Sequence, residues 1–251
     1  MKIVKFLRDS EATYGVLDNN KIHDIAGSIF SDFTVLEDHV LVDKVTLLSP
    51  CTPSKAVCIG LNYNDHKKKI DLEEPTLFLK PTSSLNHPNG IIEYPVISND
   101  VQYEAELAIV IKKEARYVAE ENAYDYILGY TCANDVTARD LQKRDGQWTR
   151  GKSFDTFMPL GPCIETDIDP NHVDIKLYLN NEVCQSSNTD NLLFKVPELV
   201  AFITQVMTLY PGDVILTGTP SGVGPMQVGD RVVVEIEGIG RLENTIGKRT
   251  V

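Results

Sequence analysis

Tyr103-Glu104-Ala105-Glu106-Leu107-Ala108-Ile109-Val110-Ile111 is the stretch on which the reading of this chain turns. In a β-strand, side chains at i and i+2 share a face. Glu104, Glu106, Ala108 and Val110 therefore form one face, and Tyr103, Ala105, Leu107, Ile109 and Ile111 form the other. One face is apolar and the other nearly so, and both are expected to be covered. Two carboxylates about 6–7 Å apart on such a surface repel each other and lose hydration. A divalent cation would remove both costs. The competing reading is a pair of glutamates at a solvated strand end.

The same kind of pattern extends in both directions. Ile3–Leu7, Tyr14–Leu17 and Lys21–Ile25 read as strands, with Asp18-Asn19-Asn20 as a hairpin turn. Leu47–Pro53, with prolines at 50 and 53, reads as a linker. Beyond it, Ala56–Gly60, Gln102–Lys112, Ile175–Leu179, Val214–Thr217 and Arg231–Ile236 are apolar or β-branched runs of strand length. Helical patterns are fewer: Ala123–Tyr126, Thr137–Lys143 and Val196–Leu209, the last with Pro197 in its first turn and Pro211-Gly212 after its end. Strands dominate without regular βαβ alternation, which predicts an α+β fold, mostly β. A small N-terminal β domain is expected over residues 1–50 and the main domain over 51–251.

Composition narrows the function classes. Lys and Arg number 24 and Asp and Glu 36, a net charge of −12 over 251 residues. That balance argues against nucleic acid and anionic membranes as partners. No apolar run is long enough to span a bilayer, and Lys5, Arg8, Asp9 and Glu11 break the N-terminal one, so no signal peptide is expected. The five cysteines are scattered with no C-x-x-C pair, which fits reduced thiols and a cytoplasmic protein.

Three further segments carry polar groups of interest. Asp135, in Asn134-Asp135-Val136-Thr137, precedes a helical pattern and is either its N-cap or a third oxygen ligand beside Glu104 and Glu106. Three carboxylates suit Mg²⁺ or Mn²⁺ and argue against zinc, copper or an iron–sulfur centre. His66, in Asn62-Tyr63-Asn64-Asp65-His66, follows the strand Ala56–Gly60 and is either a surface histidine or a general base. Gly146-Gln147-Trp148-Thr149-Arg150-Gly151-Lys152-Ser153 fits G-x-x-x-x-G-K-[ST], yet no buried strand precedes it, so a nucleotide loop is rejected. Thr217-Gly218-Thr219-Pro220-Ser221-Gly222-Val223-Gly224 is either a tight irregular turn or a loop whose N–H groups and hydroxyls meet a carboxylate.

Taken together, these segments resemble the fumarylacetoacetate hydrolase family. The matching stretches are Gly60-Leu61-Asn62-Tyr63 with His66, Leu77-Phe78-Leu79-Lys80-Pro81, Tyr103–Leu107, Asn134–Gln142, Arg150–Asp155 and Pro211–Pro220, in the family's order across about residues 51 to 248. The resemblance implies a mixed β-sandwich roll for the catalytic domain and a homodimer. It implies Glu104, Glu106 and Asp135 as ligands of Mg²⁺ or Mn²⁺, Lys152 as a catalytic lysine facing metal and substrate, and Arg139, Gln142 and Thr219 as substrate-binding residues. His66 matches the family's catalytic histidine.

One departure stands out. The family commonly has a glutamate three residues after that histidine, where this chain has Lys69. Asp71, Glu73 and Glu74 are the nearby carboxylates that would have to replace it in water activation. The implied activity is cleavage of a C–C bond beside a 2-oxo acid, by acylpyruvate hydrolysis or oxaloacetate-type decarboxylation, through a metal-stabilised enolate. The alternatives are an isomerase or tautomerase of an unsaturated 2-hydroxy or 2-oxo dicarboxylate, and a non-catalytic 2-oxo-acid-binding protein.

Overall fold

Short apolar or β-branched runs bounded by turn residues favour strands, paired either as hairpins or with distant partners. The computed structural model, which describes residues 1–64 and 72–248, is built in that way. The N-terminal strands are β1 (Lys2–Arg8), β2 (Glu11–Asp18), β3 (Lys21–Gly27), β4 (Phe33–Leu41) and β5 (Thr46–Leu48). The turn between β2 and β3 places Asn19 in the left-handed region at φ 55°, a conformation Asn tolerates well. β4 was not expected from the sequence: it is a mostly exposed edge strand carrying Glu37 and Asp38, so no apolar alternation marks it. β5 pairs with β1, so the expected linker from Leu47 begins inside a strand.

The following elements are β6 (Ala56–Gly60), β7 (Thr76–Lys80), β8 (Leu85–Asn86), β9 (Ile91–Tyr94), β10 (Val101–Tyr103), β11 (Ala105–Ile111), β12 (Ile127–Asn134) and β13 (Thr137–Ala138). Then come α1 (Arg139–Asp145), α2 (Thr149–Lys152), β14 (Met158–Glu165), β15 (Asp174–Leu179), β16 (Glu182–Asn188) and α3 (Val196–Val206). The chain closes with β17 (Val214–Leu216), β18 (Gly224–Pro225), β19 (Arg231–Ile236) and β20 (Gly240–Lys248).

The main sheet runs β4-β3-β2-β1-β14-β12-β11-β17-β6-β7, with β5 beside β1 and β8 beside β14. A second sheet runs β16-β15-β19-β20-β9, and a small one runs β13-β10-β18. The architecture is α+β and mostly β, as the sequence predicts. The N-terminal strands join the main sheet directly, with Lys2 opposite Glu165 and Ile3 opposite Ile164.

Both faces of β11 are covered. Leu107, Ile109 and Ile111 enter one core, whereas Ala108 and Val110 enter another with Ala56, Cys58 and Leu216. Fully burying an Ile or Leu side chain contributes about 1.5–3 kcal/mol, so this strand is the hub of both layers. β17 lies parallel to β6, with Val214 opposite Ala56 and Leu216 opposite Cys58. Asp213 fastens that pair: its carboxylate accepts Ser54 N–H at 2.9 Å, Ser54 O–H at 2.7 Å and Tyr210 N–H at 2.9 Å, and pairs with Lys55 Nζ at 2.6 Å.

The helices differ in their bounds from the sequence patterns. α3 begins as expected, with Glu198 Oε2 accepting Lys195 N–H at 2.7 Å, but stops at Val206. Leu209 leaves the helix to bridge Ala115 in both directions at 2.9 Å. Residues Glu120–Tyr126 form a 3-10 helix where a helical pattern over Ala123–Tyr126 was read. Thr137 and Ala138 pair with β10, and helix α1 starts only at Arg139. All five cysteines are unpaired, and four are buried. No described helix is long and apolar enough to cross a membrane.

Candidate active site

Side-chain chemistry interrupts the strand pairing where the sequence places its acidic pair. Gln102–Lys112 is not one continuous strand, because the ladder breaks at Glu104 between β10 and β11. Glu104 N–H donates to Asn134 Oδ1 at 2.9 Å, and Asp135 N–H donates to the Glu104 carbonyl at 2.9 Å. These two bonds set Asp135 beside Glu104 across the β11–β12 hairpin. Glu106 lies two residues further along the same face. Ligand oxygens of Glu104, Glu106 and Asp135 lie within 4.8 Å of one another, and all three residues are buried. Asp135 caps no helix: α1 is preceded by Ala138 and has no side-chain cap.

Buried carboxylates require counter-charges. Lys152 Nζ lies 2.7 Å from Glu104 Oε2 and 2.5 Å from Asp135 Oδ2. Lys80 Nζ lies 2.6 Å from Asp135 Oδ1 and donates to the Val136 carbonyl at 3.1 Å. Arg139 pairs with the remaining Glu104 oxygen and donates to Gln142 Oε1 at 2.5 Å. Burial works against the Lys152 ammonium, but Asp135 and Glu104 outweigh it and hold its pKa above the ordinary lysine value. Burial would raise the Asp135 carboxyl, yet Lys152 and Lys80 bring it below its usual range. Glu106 is the opposite case. Burial, then Asp135 and Glu104, push it well above the carboxylate range, and Lys152 and the Gly218 N–H offset this only partly.

The Thr217–Gly224 loop serves the protein's own carboxylate first. Gly218 N–H donates to Glu106 Oε2 at 2.7 Å, with Gly218 in the left-handed region at φ 103°. Asn62 holds this loop by donating to the Thr217 carbonyl at 2.8 Å. Gln185 ties Thr219 and Pro220 to β11: it donates to Thr219 Oγ1 at 2.9 Å and to the Pro220 carbonyl at 2.8 Å, and accepts Ala105 N–H at 2.9 Å.

The cluster forms one wall of a cavity of about 400 Å³. Of the residues singled out in the sequence, Glu104, Glu106, Asp135, Arg139, Gln142, Lys152 and Thr219 all line it, together with Phe78 and Trp148. His66, Lys69 and Asp71 lie outside the described residues. Glu73 and Glu74 line a different cavity, with Glu120, Phe194, Glu198 and Phe202. Two contributors were not assigned a role from the sequence. Lys80 ends β7, in a stretch matched to the family without a role of its own, and Gln185 sits in a strand 80 residues from the Ala105 it contacts.

The donor set fits a divalent metal. All three ligand groups are hard oxygens, and Glu106 meets only the neutral Gly218 N–H among the described residues. A cation there would relieve the repulsion that Lys152 leaves uncompensated.

A mostly β fold with a buried carboxylate triad, faced by lysines at the wall of a cavity, has a donor set that could hold a divalent metal ion. This chain belongs to the fumarylacetoacetate hydrolase family of enzymes: the fumarylacetoacetate (FAA) hydrolase C-terminal model matches residues 55–247. A second model, Rv2993c-like N-terminal, matches residues 1–50. The chain is 42% identical over 218 residues to oxaloacetate tautomerase Fahd2a, mitochondrial, from Rattus norvegicus, covering 81% of this chain and 70% of that protein. It superposes on the 2-hydroxyhepta-2,4-diene-1,7-dioate isomerase from Mycobacterium marinum with a TM-score of 0.93 at 40% identity, covering all of both chains. It also superposes on maleylpyruvate hydrolase from Sphingobium sp. SYK-6, solved with manganese(II) and pyruvate, with a TM-score of 0.85 at 30% identity over the full length of both.

Proposed function

We propose that this protein is a cytoplasmic, homodimeric enzyme, dependent on Mg²⁺ or Mn²⁺, that forms the enolate of a small 2-oxo dicarboxylate. Proton transfer of the oxaloacetate keto–enol type is its principal reaction. The observation that carries this is the charge balance of the cavity. Among the described residues, Lys152, Arg139 and Lys80 pair with Glu104 and Asp135, Glu106 enters no ion pair, and Lys143 also lines the cavity. A divalent ion held by Glu104, Glu106 and Asp135 would leave the site with an excess of positive charge, complementary to a dicarboxylate dianion. When bound, that ion would offset negative charge developing on the 2-oxo oxygen.

The residues of the chain divide the remaining work. Lys152 presents a buried ammonium beside the same oxygens and favours the enolate over the ketone. Arg139 and Gln142, already in contact, orient the distal carboxylate. Thr219, steadied by Gln185, offers its hydroxyl to the same cavity. His66 is assigned the proton transfer. The reading places the chemistry in residues 51–251, with residues 1–50 as an appended β domain. Proton transfer is favoured over hydrolysis because hydrolysis needs a positioned water, Lys69 stands where the family commonly has a glutamate, and Glu73 and Glu74 face another cavity. C–C cleavage remains as the second reading, supported by the likeness to a manganese-containing maleylpyruvate hydrolase.

The test is a turnover assay on EDTA-stripped protein with Mg²⁺ or Mn²⁺ restored. Enol absorbance of oxaloacetate is followed beside pyruvate release from oxaloacetate and acylpyruvates. Metal-restored loss of enol without pyruvate release supports the tautomerase. Pyruvate release at a comparable rate replaces it with the cleavage reading. Tight binding with no turnover of either substrate replaces both with a binding protein.

A further inference from the structure

Trp148 is the single tryptophan in the chain. It lines the carboxylate cavity and also a second cavity of about 750 Å³ bounded by Ser54, Leu77, Leu79 and Ser153. Phe78 lines both as well. The two rings meet edge to face, with centroids 5.0 Å apart and planes at 73°, a favoured aromatic geometry. Together they stand between the cavities.

Two contacts fix this pair in place. A Cβ built on Gly60 would fall 2.5 Å from the outer carbons of the Trp148 ring, so the indole occupies the space that any side chain at position 60 would need. On the other side, Lys152 Nζ lies 4.9 Å from the Phe78 ring centre, within cation–π range. The ammonium that bridges Glu104 and Asp135 is therefore in contact with the ring that supports Trp148. The aromatic pair is registered to the charged cluster at one end and to a bare backbone at the other.

We propose that Trp148, supported by Phe78, is a specificity residue that closes the far end of the substrate cavity and sets the length of 2-oxo acid it admits. A short 2-oxo acid lies wholly on the carboxylate side of the rings. A longer apolar chain meets the indole and is refused. Removing the indole joins the cavity to the second one and admits the longer chain. The proposal rests on the reading of the cavity as a 2-oxo acid site.

Calorimetric titration of Mn²⁺-loaded protein with straight-chain 2-oxo acids, from pyruvate to 2-oxooctanoate, tests it without requiring turnover. In the wild type, affinity is expected to stop rising with chain length and then fall. Each accommodated methylene is worth roughly three- to fourfold in affinity. Trp148→Ala is therefore expected to raise the affinity for the longest chain, relative to pyruvate, by roughly tenfold or more. Trp148→Phe, which keeps a ring against Phe78, is expected to give a smaller shift in the same direction and guards against misfolding of the alanine variant. Emission from Trp148 is expected to change with chains long enough to touch it and not with pyruvate. An equal effect of Trp148→Ala on all chain lengths, or long chains binding without any change in emission, overturns the partition alone. Failure of oxaloacetate, titrated alongside the series, to bind the Mn²⁺-loaded wild type overturns the underlying substrate class as well.

Discussion

Lys152 and Asp135 meet at 2.5 Å, Nζ to Oδ2, with the lysine side chain 2% exposed and the aspartate not exposed at all. The same ammonium reaches Glu104, so one cation joins carboxylates from the two arms of a hairpin. Removing one partner of a buried pair leaves the other uncompensated.

Lys152→Met is accordingly expected to destabilise the metal-free protein by about 3–5 kcal/mol. Saturating Mn²⁺ should then raise the melting temperature of the variant by more than that of the wild type, because the ion takes over the counter-charge. Melting scans with and without Mn²⁺ check this. An equal rise in both proteins would show that Lys152 is not acting as the counter-ion.

Glu106→Gln tests the other side of the balance. The amide oxygen can still accept the Gly218 N–H, while the repulsion from Asp135 and Glu104 is gone. Metal-free stability is expected to rise by about 1–2 kcal/mol, and Mn²⁺ affinity is expected to fall at least tenfold. Urea midpoints and a Mn²⁺ titration read the two effects, and a variant less stable than the wild type contradicts the electrostatic account.

Gly218→Ala places a Cβ 2.9 Å from that of Asn62 at a backbone φ of 103°. The loop must shift, and the N–H aimed at Glu106 shifts with it. A cost of about 1–3 kcal/mol is expected, with weaker Mn²⁺ binding. Unchanged Mn²⁺ affinity would show that this N–H does not position Glu106.

Asp213 predicts an acid dependence away from the cavity. Burial raises its carboxyl, but the hydrogen bonds from Lys55 and Ser54 outweigh burial and hold it below the usual range. A depressed folded-state pKa contributes stability above the unfolded value of about 3.9 and loses it as pH falls through the folded value. Asp213→Asn is expected to cost about 2–3 kcal/mol at pH 6, with the gap to wild type closing below about pH 4. Urea midpoints of both proteins between pH 6 and pH 3 check this, and a pH-independent gap would refute it.

The strand pattern around Glu104 and Glu106 was legible because period-2 alternation records which faces are buried, and both faces of β11 are. Asp135 joined the pair by residue type and family resemblance. What brings it there, the Asn134 side chain replacing a ladder partner of Glu104, leaves no periodic signal. Lys80 stands in a stretch matched to the family but carried no assigned role, because only the approach of Asp135 shows that its ammonium is buried. The edge strand β4 was missed because an exposed strand has no face to mark. Trp148 was quoted inside a loop, but nothing in that loop foretells that its ring fills the space above Gly60.

The hairpin that carries the acidic groups closes over only 30 residues between Glu104 and Asn134. The contact between Ser54 and Asp213, beside the β6–β17 pair, spans 159 residues. Loop-closure entropy grows with that span, and distant pairings set the pace of folding. The contact that sets Asp135 beside Glu104 therefore closes over a much shorter span than the one that fastens β6 to β17. An insertion in a surrounding loop is therefore expected to reshape what the cavity admits while the hairpin keeps its own register.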